Sequence, residues 1–157
     1  MVSPRILLSP SCALALGFGA GLSPWMPGTA GAILGLPLHL ALRQLPWMAA
    51  VAVLAVLLIA GSIACGRAGK ILGKHDHGAI VWDEVYAMLV ILYAVPVSSA
   101  WWIAALVVFR FFDIVKPWPI RVIDRRMTGG FAVMADDLAA AIASMAVLAA
   151  ARWMLGA

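Results

Sequence analysis

Long apolar runs separated by short polar breaks dominate the chain. Apolar residues extend from Thr29 to about Leu42, from Trp47 to Cys65, from Val81 to about Tyr93, from Trp101 to Phe112 and from Leu138 to Leu155. The second run comes close to the ~20 residues that a helix needs to cross a bilayer. The third and fourth are short for full crossings, which predicts tilted or shallow segments there. Arg43-Gln44-Leu45-Pro46 separates the first two runs, Gly66-Arg67-Ala68-Gly69-Lys70 closes the second, and Pro96 with Ser98-Ser99 marks a turn before the fourth. The pattern predicts five helical segments in one small polytopic membrane bundle.

Composition agrees with that pattern. Of 157 residues, 65% are hydrophobic and 11% charged, with a mean hydropathy of +1.04, against about 45–50% apolar and about 25% charged in soluble domains. No linker, repeat or low-complexity tract divides the chain, so one domain is expected over 1–157. The net charge of +4 is explained by basic residues beside apolar spans, where anionic head groups and the positive-inside bias place them; nucleic-acid binding is set aside. Cys12 and Cys65 have no spacing that suggests a disulfide or metal knuckle. Arg5 before an apolar stretch allows a signal peptide, but the following glycines and prolines suit an ordered turn better.

The polar residues are unevenly placed. All seven carboxylates, Asp76, Asp83, Glu84, Asp113, Asp124, Asp136 and Asp137, lie in one part of the chain, at the ends of apolar segments. Arg67, Lys70 and Lys74 fall in one polar connection, and Lys116, Arg121, Arg125 and Arg126 in another. Both connections should face the cytoplasm, which puts the amino terminus inside, the breaks at 43–46 and 95–100 outside, and every carboxylate at the cytoplasmic face.

The stretch 112–126 is the densest in charge. It sets Asp113 and Asp124 among Lys116, Arg121, Arg125 and Arg126, stiffened by Pro117 and Pro119. Carboxylates converging at a low-dielectric boundary repel unless protonated or neutralised by a divalent ion. Hard oxygen ligands in such number favour Mg²⁺, which also accepts phosphate oxygens. His75 and His77 lack a nearby third zinc ligand, although either could serve as a proton donor; remote His39 is expected at the interface.

Individual expectations follow from spacing. Asp83 and Glu84, about 100° apart on a helix, should not easily bind one ion together. Asp113 and Lys116 share a face if their helix continues that far, and Arg110 should pair with Asp113. Lys116 and Arg121 are the candidate phosphate ligands, whereas Arg125 and Arg126 suit the membrane surface. One of Asp136 and Asp137 should cap the last helix. The Gly- and Pro-rich loop 17–31, which contains Thr29, could turn N–H groups toward an anion or simply pack its glycines against neighbouring helices.

Three motifs, GAGLSPWMPGTAGA, KHDHGAIVWDE and FRFFDIVKPWPIRVIDRRMTGGFAVMADDLAA, occur in this order over most of residues 17–142. Together they resemble the phosphatidylglycerophosphatase A family. The resemblance implies an all-α fold and a Mg²⁺-dependent phosphatase of the bacterial inner membrane, which converts phosphatidylglycerophosphate to phosphatidylglycerol and phosphate. By motif it points to Asp76, Asp83, Glu84, Asp113, Lys116, Asp136 and Asp137 as site residues, without telling which carboxylate binds metal and which acts as base. We expect metal ligands among Asp76, Asp83, Glu84, Asp113, Asp136 and Asp137, catalytic roles for Asp83, Glu84, Asp113 and Asp137, and substrate contacts from Lys116, Arg121 and Thr29. Whether water attacks directly or an aspartyl-phosphate forms is left open, as is the oligomeric state.

Two other classes are weighed against it. An alcohol-phosphatidyltransferase should carry an Asp-Gly start to its motif, and the chain has no Asp-Gly. A small transporter should hold its acids near the bilayer midplane, not at segment ends beside cations.

Overall fold

The computed structural model of the chain describes residues 2–156. Every regular element among them is helical: α1 (Pro10–Ala15), α2 (Pro27–Leu42), α3 (Trp47–Leu72), α4 (Trp82–Ala94), α5 (Ser99–Val115), α6 (Ile120–Arg126) and α7 (Gly130–Leu155), with 3-10 turns over Pro4–Leu8 and Gly17–Leu22. The five long helices correspond to the five apolar runs. They gather the starts of α2, α4 and α7 and the ends of α3 and α5 at one end of the bundle. Gly28 of α2 lies against Glu84 of α4 and Arg110 of α5, and Gly66 of α3 against Gly130 of α7.

Two boundaries differ from the sequence reading. The second apolar run does not end at Gly66–Lys70: α3 carries on to Leu72 and stops at Gly73. Arg67, Ala68 and Lys70 are good helix formers, and a cation near a helix carboxyl end suits its dipole. Gly73, at φ 70°, then closes α3, with its own N–H donating to Lys70 O and the Lys74 N–H to Gly69 O. The last helix likewise starts earlier than the apolar run, at Gly130. Asp136 and Asp137 therefore do not cap it; they sit in its second turn, buried.

Helix α4 is the centre of the bundle. Val85, Ala87, Met88 and Ile91 are fully buried, divided between two apolar clusters: Val85 packs with α1, α3 and the start of α7, and the others with α2, α5 and the later part of α7. His39, expected at the interface, is buried near the end of α2 with its ring edge-on to Tyr93 of α4. Helices α3 and α7 meet closely at Gly130, where a Cβ would collide with the Ser62 carbonyl.

The outside of the bundle is apolar. Helices α3 and α7 are both long and apolar enough to cross a membrane, and only 22% of the most apolar stretch of each is buried within the protein. Ile103, Val107, Phe111 and Ile114 form an exposed stripe at helical spacing along α5. Exposed tryptophans mark both ends: Trp25 and Trp118 beside the gathered helix ends, and Trp47 and Trp153 at the opposite end.

Candidate active site

The first turn of α4 and the second turn of α7 bring three carboxylates together. Asp83, Glu84 and Asp137 each offer an oxygen, and these oxygens all lie within 4.8 Å of one another. Asp83 and Glu84 thus converge, contrary to the expectation from their 100° separation. Their side chains differ in length, and the longer Glu84 can reach round the helix to the point that Asp83 faces. Asp113, in the last turn of α5, lies beside Asp137, close enough for their carboxyls to interact directly.

Among the described residues, one cation touches this inner cluster. Arg110 Nη1 stands 2.5 Å from Asp113 Oδ2 and 3.5 Å from Glu84 Oε1, so the expected Arg110–Asp113 pair is present and reaches a second helix. Gly28, in the first turn of α2, is the floor beneath them: a Cβ there would meet Glu84 Oε1 and the Arg110 guanidinium. Thr29 follows it, with a buried hydroxyl that has no hydrogen-bond partner.

Charge and hydrogen bonding are both incomplete here. Four carboxylates face one guanidinium. Asp83 Oδ1, Glu84 Oε2 and Asp137 Oδ2 are buried without any partner, as is Arg110 Nε. Buried polar atoms are normally paired, because an orphan costs about 1–3 kcal/mol and more when charged. An octahedral ion with oxygen at ~2.1 Å sets opposed ligands ~4.2 Å apart, a span within that of the three orphaned carboxylates. The donor set fits a hard divalent cation.

A second, outer set of acids surrounds Lys116. The lysine sits in the left-handed region at φ 43°, just past the end of α5, and its ammonium bonds Asp124 of α6 at 2.6 Å and Asp136 of α7 at 2.5 Å. Burial alone would lower the Lys116 pKa, but these two hydrogen bonds outweigh it and raise the pKa above the ordinary lysine value. Asp76 lines the same small cavity as Asp124 and Asp136, about 30 Å³ in volume. Neighbouring Asp136 and Asp137 therefore serve different sets, since adjacent helical positions diverge by about 100°.

The sequence-derived candidates thus separate by position. Asp83, Glu84, Asp113 and Asp137 form the inner cluster, and Asp76 and Asp136 stand apart from it with Asp124. Lys116 does not share a face with Asp113, because α5 stops at Val115 and the left-handed residue turns its side chain toward α6 and α7. Arg121 donates to the Val115 carbonyl at 3.5 Å and lines a surface cavity with Trp118, Arg125 and Arg126. His75 Nε2 lies 2.9 Å from Gly129 O, and His77 Nδ1 accepts the Ala79 N–H at 3.1 Å; both rings hold loop backbone. Sequence reasoning missed Gly28 and the Arg110–Glu84 contact. Neither has a signal in local spacing, since each depends on how α2, α4 and α5 approach one another.

The family model of phosphatidylglycerophosphatase A matches residues 13–152. The chain belongs to the phosphatidylglycerophosphatase A family. It is 43% identical to the Escherichia coli K12 protein named phosphatidylglycerophosphatase A over 136 residues, covering 86% of this chain and 79% of that protein. A Haemophilus influenzae protein of the same name is 42% identical over 152 residues, 95% of this chain and 93% of its own. A third relative, from Bacteroides thetaiotaomicron, is 39% identical over 148 residues, 89% of this chain and 92% of its own, and carries the provisional name phosphatidylinositol-3-phosphatase. No solved structure matches the chain. As a member of the phosphatidylglycerophosphatase A family the chain is an enzyme, a phosphatase.

Proposed function

We propose that this phosphatase is Mg²⁺-dependent, acts at the bacterial inner membrane and removes the terminal phosphate of phosphatidylglycerophosphate, leaving phosphatidylglycerol and inorganic phosphate. The observation that carries the reading is the inner cluster: three carboxylates with orphaned buried oxygens, within 4.8 Å of one another, in a chain of this family. The substrate follows from the names of the two relatives at 42–43% identity. Apolar, exposed flanks on α3, α5 and α7 and tryptophans at both ends support a bilayer setting. The basic connections lie at the carboxylate end, which argues for a cytoplasmic site. The same continuous bundle supports a single domain.

Asp83, Glu84 and Asp137 would hold the ion, with Asp113 beside them. Bound there, Mg²⁺ supplies Lewis-acid polarisation of the phosphate and lowers the pKa of bound water. The chain's own groups do the rest. A cluster carboxylate accepts the proton of the attacking water as the new P–O bond forms in line, and the ester P–O bond breaks. The glycerol oxygen leaves as an alcohol once protonated. Arg110, with its unpaired buried Nε, offsets charge spreading over the equatorial oxygens, and the Thr29 hydroxyl is a second donor beside it. Lys116 braces Asp136 and Asp124, keeping α5, α6 and α7 in register around the site. Arg121 lies further out, where it suits the diester phosphate of a head group or the membrane surface.

The test is phosphate release by the purified full-length protein in detergent. Phosphatidylglycerophosphate is compared with phosphatidylinositol 3-phosphate and a soluble phosphomonoester, each with Mg²⁺ and with chelator. Preference for phosphatidylglycerophosphate, lost on chelation and restored by Mg²⁺, is expected. Undiminished turnover under chelation overturns the metal, and preference for the inositol lipid overturns the substrate. With a terminal thiophosphate made chiral by oxygen isotopes, one in-line attack by labelled water should invert the configuration at phosphorus; retention would mean two displacements and a covalent aspartyl-phosphate.

A further inference from the structure

The polar end of α3 carries a cavity that the carboxylate clusters do not use. It measures about 550 Å³ and lies between α3 and the start of α7, lined by Arg67, Lys70, Lys74 and His75 over a floor that includes Gly66 and Gly130. No carboxylate of the described residues lines it. Among the described residues, none of Arg67, Lys70 and Lys74 forms an ion pair; Arg67 only donates to Ser11 Oγ, at 3.5 Å. Three uncompensated cations around one concavity favour an anion.

The surface leading away from the cavity narrows the kind of anion. Ile63 lines its edge, and Ile63, Ile59 and Val56 continue along the same face of α3 as exposed apolar side chains. From Lys70 back to Val56 is ~21 Å along the helix, enough to accompany an acyl chain through one leaflet of a ~30 Å hydrocarbon core. An acidic peptide would match the cations but not the apolar strip. We propose that this cavity binds the phosphate of an anionic diacyl phospholipid of the surrounding bilayer, with Arg67, Lys70 and Lys74 as its ligands and a chain lying on Ile63, Ile59 and Val56. The lipid is a bound companion and not the substrate, because none of the inner carboxylates reaches this cavity. It bears on the active site through the seam it fills: His75 holds the Gly129 backbone, and α7, which begins at Gly130, carries Asp137.

Native mass spectrometry of the full chain, released from neutral detergent with phosphatidylserine or phosphatidylcholine, tests this. Phosphatidylserine is chosen because it is neither substrate nor product of the proposed reaction. One retained phosphatidylserine is expected per protein, with phosphatidylcholine lost. In the R67Q/K70Q/K74Q variant the apparent affinity should fall on the order of a hundredfold, from the loss of three surface cations, whereas R125Q/R126Q should retain the lipid. Equal retention of phosphatidylcholine, or undiminished phosphatidylserine in the triple variant, overturns the proposal. So does displacement by millimolar inorganic phosphate, which would mean a free-anion site, or by an acidic peptide at comparable concentration. Circular dichroism checks the fold of the triple variant. Should it unfold, the single reversal K70E at an exposed position takes its place, and undiminished retention there counts equally against the site.

Discussion

Arg110 and Asp113 stand one turn apart on α5, with the guanidinium 2.5 Å from the carboxylate, and the same guanidinium nitrogen reaches Glu84 of α4 at 3.5 Å. Arg110 is thus the sole cation in direct contact with the inner cluster among the described residues. Replacing it with alanine should lower kcat/KM by roughly 100-fold or more, the usual loss when one stabilising donor leaves a dry site. Lysine should recover part of that loss, since it restores the charge but not the fork. Initial rates of phosphate release for R110A and R110K check both.

The three orphaned oxygens predict a cation site that exists before substrate arrives. D83N and D137N should each weaken Mn²⁺ binding by at least about 10–100-fold, read by electron paramagnetic resonance on the purified protein without lipid. Both should remain helical by circular dichroism and should show no measurable turnover. Unchanged Mn²⁺ affinity in D137N would take α7 out of the metal site.

Gly28 should tolerate no side chain. A Cβ at this position would press on Glu84 and the Arg110 guanidinium, and overpacking of this kind typically costs about 1–3 kcal/mol. G28A should therefore lose activity out of proportion to its loss of thermal stability. The neighbouring variant T29S keeps the hydroxyl and should lose little. Parallel melting curves and rate measurements separate the two effects.

Lys116 predicts an alkaline limit. Its folded pKa is raised above the ordinary value of 10.5 by Asp124 and Asp136, against the opposing effect of burial. A raised folded pKa means that the contribution of the ammonium is fully present below the unfolded pKa and lost as pH rises through the folded one. Stability should hold across neutral pH and fall above about pH 10. K116M should be less stable at pH 7 by about 1–3 kcal/mol and should lack the lysine's share of the alkaline decline. Denaturation midpoints of both proteins between pH 7 and 11 check this.

Much of the fold was legible because apolar runs and helices coincide. The length of the run from Trp47 and the proline and serine breaks around 43–46 and 95–99 place α2, α4, α5 and the start of α3 within a few residues. The misplaced ends have a common cause. Polar residues suggest the end of a helix at Gly66–Lys70 and the start of one at Asp136, whereas the backbone continues through both. In α3 that continuation is supported by good helix formers and by Gly73 as the natural stop. In α7 it is supported by burial of Ala132, Val133 and Met134 ahead of the two aspartates, which no local rule for capping reveals. The inner cluster was partly legible, since Asp83, Glu84, Asp113 and Asp137 all lie at segment ends. Its separation from Asp76 and Asp136 was not, because that depends on the rotation of α7 and on the turn that sends Lys116 away from Asp113.

The splitting of Asp136 and Asp137 between two sets of partners fixes the rotational setting of α7 twice over. Insertion of a single alanine between Phe131 and Ala135 would leave hydropathy almost unchanged, yet would swing both aspartates by about 100°. One would leave Lys116 and the other would leave Asp83 and Glu84. A family built this way should accept many exchanges on the lipid-facing side of its last helix while tolerating no change in the number of residues between Gly130 and Asp136.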